Sequence, residues 1–131
     1  MPEFSKRSKE RLITCHTDLI TLMSSVIDDF DFAVICGHRN EKDQNAAYNA
    51  GNSKLTYPKS KHNSFPSLAV DIAPVKYNEN GSVWIDWNDL DSFERLYSVV
   101  KSHADKLNIA FTWGGFWKMK DRPHYELKST N

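Results

Sequence analysis

Leu12, Leu19, Leu22, Met23, Val26 and Ile27 recur mostly at three- and four-residue intervals, the spacing of one helix face. Thr17 and Asp18 can restart a helix after a short break, so this stretch predicts one or two helices over about residues 5–28. The period then changes. Phe32 to Cys36 is a short β-like apolar run closed by Gly37. Asn40 with Asp43 imitates a capping box before AAYNA, a helix that Gly51 ends. Residues 51–66 hold two prolines and many small polar side chains and predict a loop. In SLAVDIAP, residues 67–74, Leu68, Val70 and Ile72 take one strand face and Ala69, Asp71 and Ala73 the other. Asp71 therefore projects between two alanines, where a partner has room to sit.

ENG at 79–81 marks a turn between VKY and VWI. From Asn88 a helix runs to about Leu107, with Leu90, Phe93, Leu96, Tyr97, Val100 and Ala104 on its buried face. IAFTW is a further strand that WGG breaks. HYEL is the last strand, with Tyr125 and Leu127 toward the core and His124 and Glu126 on the opposite face. No repeat or linker divides the chain. The expectation is one α+β domain over residues 1–131, a small antiparallel sheet with packed helices, its N-terminal helices at about 5–28 and its core at about 32–127.

Composition narrows the function classes. A chain of 131 residues, 40% hydrophobic, is sized for one core. Lys plus Arg and Asp plus Glu are 17 each, so no net field favours nucleic acid or an anionic membrane surface, and activity must come from a local site. MPEFSKRSKER has no apolar signal region and no window approaches a membrane span, so a soluble protein made in the cytosol is expected. Cys15 and Cys36 form no CxxC pair and read as reduced thiols in the core.

Among five histidines, His16 and His103 fall in helices among polar neighbours and read as solvated. His38, after Gly37 at a strand end, can orient a neighbour. His62 in the loop, Asp71 on its strand and His124 on another supply two imidazoles and a carboxylate from separated segments, as a catalytic zinc site requires. Spacing by itself leaves a capped turn as an alternative.

The blocks SKHNSFPSLAVDIAP, WGGFW and DRPHYEL resemble the zinc peptidases that cleave D-amino-acid bonds in bacterial cell walls. These are the D-alanyl-D-alanine carboxypeptidases and dipeptidases and the L-alanyl-D-glutamate peptidases used as phage endolysins. The family pattern S-x-H, A-x-D and a carboxylate three residues before a final His reads here as Ser60-Lys-His62, Ala69-Val-Asp71 and Asp121-Arg-Pro-His124. The resemblance extends upstream to GHRNEKDQNAAYNAG and covers roughly residues 32–127. One departure stands out: eight residues separate His62 from Asp71 where many members have six, and Ser67 stands where their Gly falls. Asp, rather than Glu, before the last His sides with the phage L-alanyl-D-glutamate peptidases.

The resemblance implies a Hedgehog/D-Ala-D-Ala peptidase-like zinc site with His62, Asp71 and His124 as ligands and Asp121 as the base that takes a proton from water. It implies Arg39 as oxyanion donor or holder of a substrate carboxylate; the residues alone suggest a surface ion pair with Asp43 or Glu41. Ser60 and Gln44 would hydrogen-bond the substrate backbone. Glu126 competes with Asp121 as base but reads better as a support for His124. Trp113, Phe116 and Trp117 either wall the cleft or pack in the core.

The function so implied is a zinc-dependent endolysin that acts as a monomer on the L-Ala–D-Glu bond of the peptidoglycan stem peptide, without nucleic-acid partners or membrane insertion. It would be held in the host cytoplasm until holin-dependent release to the periplasm and cell wall. The alternatives are a D-Ala-D-Ala carboxypeptidase or dipeptidase of the same chemistry and a non-catalytic, zinc-stabilised binding domain like Hedgehog relatives.

Overall fold

The computed structural model describes residues 2–128. The N-terminal segment forms two helices, α1 (Lys6–Leu12) and α2 (Thr17–Val26). Ser5 caps α1 by accepting the Ser8 N–H, and His16 caps α2 by accepting the Asp18 N–H at Nδ1. His16 is thus a structural cap and not merely a solvated side chain. β1 (Phe32–Cys36) and α3 (Glu41–Asn49) follow, and Asn40 accepts the Asp43 N–H as the sequence predicts. Gly51, at φ 80°, takes the left-handed turn after α3.

Next come β2 (Ala69–Pro74), the short ribbon β3 (Lys76–Tyr77) and β4 (Val83–Trp84), α4 (Leu90–Leu107), β5 (Phe111–Trp113) and β6 (His124–Leu127). β5 is shorter than IAFTW suggests. Leu90 also departs from expectation: it opens α4 at 46% exposure, one turn before the buried stripe of Phe93, Leu96, Val100 and Ala104 begins. No helix among the described residues is long and apolar enough to cross a membrane.

The main sheet is antiparallel with strand order β1-β2-β6-β5. One face carries Phe32, Val34, Val70, Ile72, Tyr125 and Leu127, which join Leu19, Leu22, Met23 and Val26 of α2 and Leu96 and Val100 of α4 in one core. Each such side chain contributes about 1.5–3 kcal/mol on burial. His103 ties the two helices together at the edge of this core. Its Nδ1 lies 2.5 Å from Ser25 Oγ and its Nε2 2.6 Å from Asp29 Oδ2, so the solvated reading of His103 is corrected.

On the opposite face β2 and β6 are registered with Asp71 facing His124 and Ala69 facing Glu126. Between Val34 and Cys36 the β1–β2 register shifts, so that Val34 pairs with Ile72 and Cys36 with Asp71. Ile35 is the extra residue of a bulge, the device that re-aims side chains beside functional sites. By simple alternation Cys36 would follow Val34 into the core; after the bulge it stands on Asp71's face.

Candidate active site

His62 is carried by a 3-10 turn, Lys61–Asn63, that Ser60 starts. The Ser60 hydroxyl accepts the His62 N–H at 3.2 Å, and Asn63 Oδ1 accepts the Ser60 N–H at 3.0 Å. The His62 ring is buried and its Nδ1 donates to the Gly37 carbonyl at 2.7 Å, which leaves Nε2 facing Asp71 Oδ1 at 3.2 Å. His124 meets the same oxygen through its other nitrogen: Nδ1 lies 3.2 Å from Asp71 Oδ1, while Nε2 lies 2.8 Å from Glu126 Oε1. Glu126 is held in turn by Lys61 at 3.1 Å. Each imidazole therefore has one nitrogen anchored by the protein and one directed at Asp71.

Burial opposes charge on all three groups, but their mutual contacts outweigh it. Asp71 is held well below the usual carboxylate range by the bonds from His124 and His62, and both histidines are raised by Asp71, His124 further by Glu126 and His62 further by Cys36. The cluster thus favours positive charge around the Asp71 carboxylate. Two imidazoles and a carboxylate are a donor set that catalytic zinc uses, and the two 3.2 Å separations match the edge of about 3.3 Å expected of tetrahedral metal–ligand bonds of about 2.0–2.1 Å. In donor chemistry His62, Asp71 and His124 suit a divalent metal, and both of their edges to Asp71 are of metal-site length.

Cys36 belongs to this neighbourhood, not to the core. Donor atoms of Cys36, His62 and Asp71 lie within 4.8 Å of one another, so a metal set of thiol, imidazole and carboxylate is also available. Burial raises the Cys36 thiol, but His62 and Arg39 more than offset it. No sequence signal marked this, since Ile35 is not a glycine and nothing else announces the bulge. Against Cys36 as a ligand stands the way its sulfur is engaged, by Arg39 Nη2 at 3.6 Å and the Gly37 carbonyl at 3.6 Å. His124 is instead backed by a carboxylate in the manner of metal-binding histidines.

Arg39 faces the site. Its Nη2 lies 3.7 Å from Asp71 Oδ2, in place of an ion pair with Asp43 or Glu41, and its Nη1 donates to Gln44 Oε1 at 2.9 Å. Gln44 lies beneath the surface and is 0% exposed. Its Oε1 also accepts from Asn63 at 3.1 Å, and its Nε2 donates to Ser53 Oγ at 2.9 Å and the Leu55 carbonyl at 2.7 Å. With its bonding capacity used, Gln44 positions Arg39 and the loop, and the expectation of direct substrate contact is corrected. His38 similarly orients the loop through the Ser64 carbonyl at 2.9 Å.

Asp121 lines a cleft of about 700 Å³ together with Arg39, Ser60, His62, Asp71, Trp117, His124 and Glu126. Crowding by protein, and then the Asp71 charge, push its carboxyl upward. The loop that carries it turns on Gly114, whose carbonyl accepts both the Trp117 and Asp121 N–H groups. A Cβ on Gly114 would lie 2.3 Å from the Asp121 carbonyl oxygen, so no other residue fits there unchanged. The aromatics divide. Trp117 lies against His124, ring centroids 5.0 Å apart, and walls the cleft; Trp113 is in the core; Phe116 is exposed against Tyr97. A second cleft of about 440 Å³, between α4 and β5, holds no histidine.

The long spacing between His62 and Asp71 also has a physical use. Ser67 is fully buried and bridges to Cys15, its N–H bonded to the Thr14 carbonyl at 2.9 Å and its carbonyl to the His16 N–H at 2.8 Å. Through Ser67 the loop between His62 and Asp71 is tied to the α1–α2 connection.

The chain as a whole is similar in sequence and in fold to characterised proteins. The chain is 31% identical to the L-alanyl-D-glutamate peptidase of Escherichia phage T5, over 96% of this chain and 89% of that protein. The crystal structure of the Serratia marcescens L-Ala D-Glu endopeptidase ChiX superposes with a TM-score of 0.76 at 28% identity, covering 96% of this chain and 90% of the other. The family model of the phage L-alanyl-D-glutamate peptidases matches residues 2–131, and the chain belongs to that family.

Proposed function

We propose that this protein is a zinc-dependent peptidoglycan endopeptidase that hydrolyses the L-Ala–D-Glu bond of the stem peptide. The observation that carries the reading is the convergence of His62 Nε2 and His124 Nδ1 on one oxygen of Asp71, in a cleft that Asp121 also lines. His62, Asp71 and His124 would hold the metal, which supplies Lewis acidity toward the scissile carbonyl and makes water deprotonable near neutral pH.

The chain's own residues supply the rest. Asp121 accepts the proton of the attacking water and returns it to the departing amine of D-Glu. Arg39, braced by Gln44, donates to the negative charge that develops on the carbonyl oxygen. Gly37 and Glu126 fix the two histidine rings, and Ser60 fixes the turn that carries His62. Trp117 screens the His124 side from solvent. A wall-degrading role in phage lysis, with the enzyme kept in the host cytoplasm as a monomer until a holin opens the membrane, accords with this chemistry.

Digestion of purified peptidoglycan, followed by mass spectrometry of the released fragments, tests the bond. The expected products carry a new N-terminal D-Glu and leave L-Ala on the lactyl group of the glycan. Free D-Ala with the L-Ala–D-Glu bond intact would assign a carboxypeptidase instead, and no cleavage at all would return the non-catalytic reading.

A further inference from the structure

The chain is electrically balanced, with 17 cationic and 17 acidic residues, yet the cleft is not. Arg39, Lys54, Lys59, Lys61 and Lys120 line it against only Asp71, Asp121 and Glu126. Part of this cationic set is already committed: Arg39 to Asp71 and Lys61 to Glu126. Lys54, Lys59 and Lys120 enter no ion pair among the described residues. Lys120 Nζ donates only to the Gly115 carbonyl, at 3.2 Å. These three come from two different loops, that after α3 and that after β5, and so reach the cleft from separate segments.

Uncommitted ammonium groups at the wall of a half-enclosed cleft keep a field that an anionic ligand would satisfy. The stem peptide brings such an anion to the reacting bond. Its D-Glu is linked onward through the γ-carboxyl, so its α-carboxylate is free and sits on the same carbon as the scissile amide nitrogen. Every complex at the L-Ala–D-Glu bond of a stem peptide whose α-carboxyl is not amidated therefore carries a negative charge into this cleft.

We infer that Lys54, Lys59 and Lys120 form a carboxylate-reading rim that selects stem peptides with a free D-Glu α-carboxylate over those in which this group is amidated. The inference rests on the peptidase reading above and adds the substrate feature that the cleft recognises. Amidation removes the charge while leaving the shape of the residue almost unchanged, so it isolates the electrostatic contribution. Because the lysines lie at the wall of an open cleft, their preference is sensitive to salt.

The test uses two synthetic L-Ala–γ-D-Glu peptides that differ only in a free or amidated α-carboxyl, and it reads the ratio of their kcat/KM values. The expected wild-type ratio favours the free acid by on the order of tenfold to a hundredfold, the range for losing a charge-assisted hydrogen bond. It should shrink as salt is raised. In the combined variant K54Q, K59Q and K120Q the ratio should fall to near one. A wild-type ratio near one, or a variant whose ratio is unchanged even though its overall rate has dropped, overturns the rim. Failure of the wild-type protein to cut either peptide at this bond overturns the peptidase reading and the rim with it, and is told apart because no ratio then exists.

Discussion

Val34, Val70 and Ile72 are all 0% exposed on one face of the sheet, and between them on the same strands Ala69, Asp71 and Ala73 point the other way. Strand β6 divides likewise, with Tyr125 and Leu127 on the core side and His124 and Glu126 on the site side. The apolar face is specified by volume: any side chain that fills the space against α2 and α4 does most of the work. The other face is specified by direction. There alanines keep the sheet surface low, and each polar atom is fixed by a named partner, Gly37 for His62 and Glu126 for His124. Substitutions should therefore separate activity from stability according to the face they strike.

The largest loss of activity is expected from His62→Ala. Peptidoglycan cleavage should vanish and metal analysis of the purified variant should show no stoichiometric zinc, with a lowered Tm because metal-binding energy is also folding energy. Full retention of zinc would show that the site face does not hold the metal through His62.

Asp121→Asn should divide the site face itself. Cleavage should fall by about 10² to 10⁴ while zinc content stays at the wild-type level, since the amide keeps the shape of the side chain but cannot take up a proton. Loss of the metal in this variant would instead make Asp121 a ligand and move the base role to Glu126.

On the core face Ile72→Ala should lower unfolding stability by about 2–5 kcal/mol, as measured by denaturant titration, through lost burial and the cavity left behind. The rate per folded molecule should change least of the three. A large fall in that rate at full folding would mean that the two faces are mechanically coupled through β2.

How much of this was readable in advance follows the same division. Alternation along SLAVDIAP and HYEL assigned Val70, Ile72, Tyr125 and Leu127 to the core and put Asp71, His124 and Glu126 on the opposite face, because regular strands transmit their period directly into sequence. Cys36 was misplaced for the complementary reason: a bulge at a β-branched residue leaves no mark in the pattern. His103 was misjudged because its neighbours in sequence are polar, whereas its partners, Ser25 and Asp29, come from elsewhere in the chain. Gln44 was placed against the substrate by motif resemblance, which carries no information on burial, whereas its amide is used on Arg39, Asn63, Ser53 and Leu55. The convergence of His62 on Asp71 depends on a loop with no periodicity, and there only motif resemblance guided the reading.

The buried Ser67 bridge bears on modularity. Residues 14–16 grip Ser67, Ser8 Oγ accepts the Val34 N–H at 2.9 Å, and Arg11 donates to the Val34 carbonyl at 3.0 Å. Gly37, whose carbonyl steers His62, packs so close to α1 that a Cβ would meet the Arg11 carbonyl oxygen at 2.3 Å. The segment with every proposed catalytic side chain, residues 32–127, is therefore no portable cassette. Grafted onto another scaffold without its first two helices, it would carry the right chemistry on a strand and a loop that had lost the contacts of Ser8, Arg11 and residues 14–16.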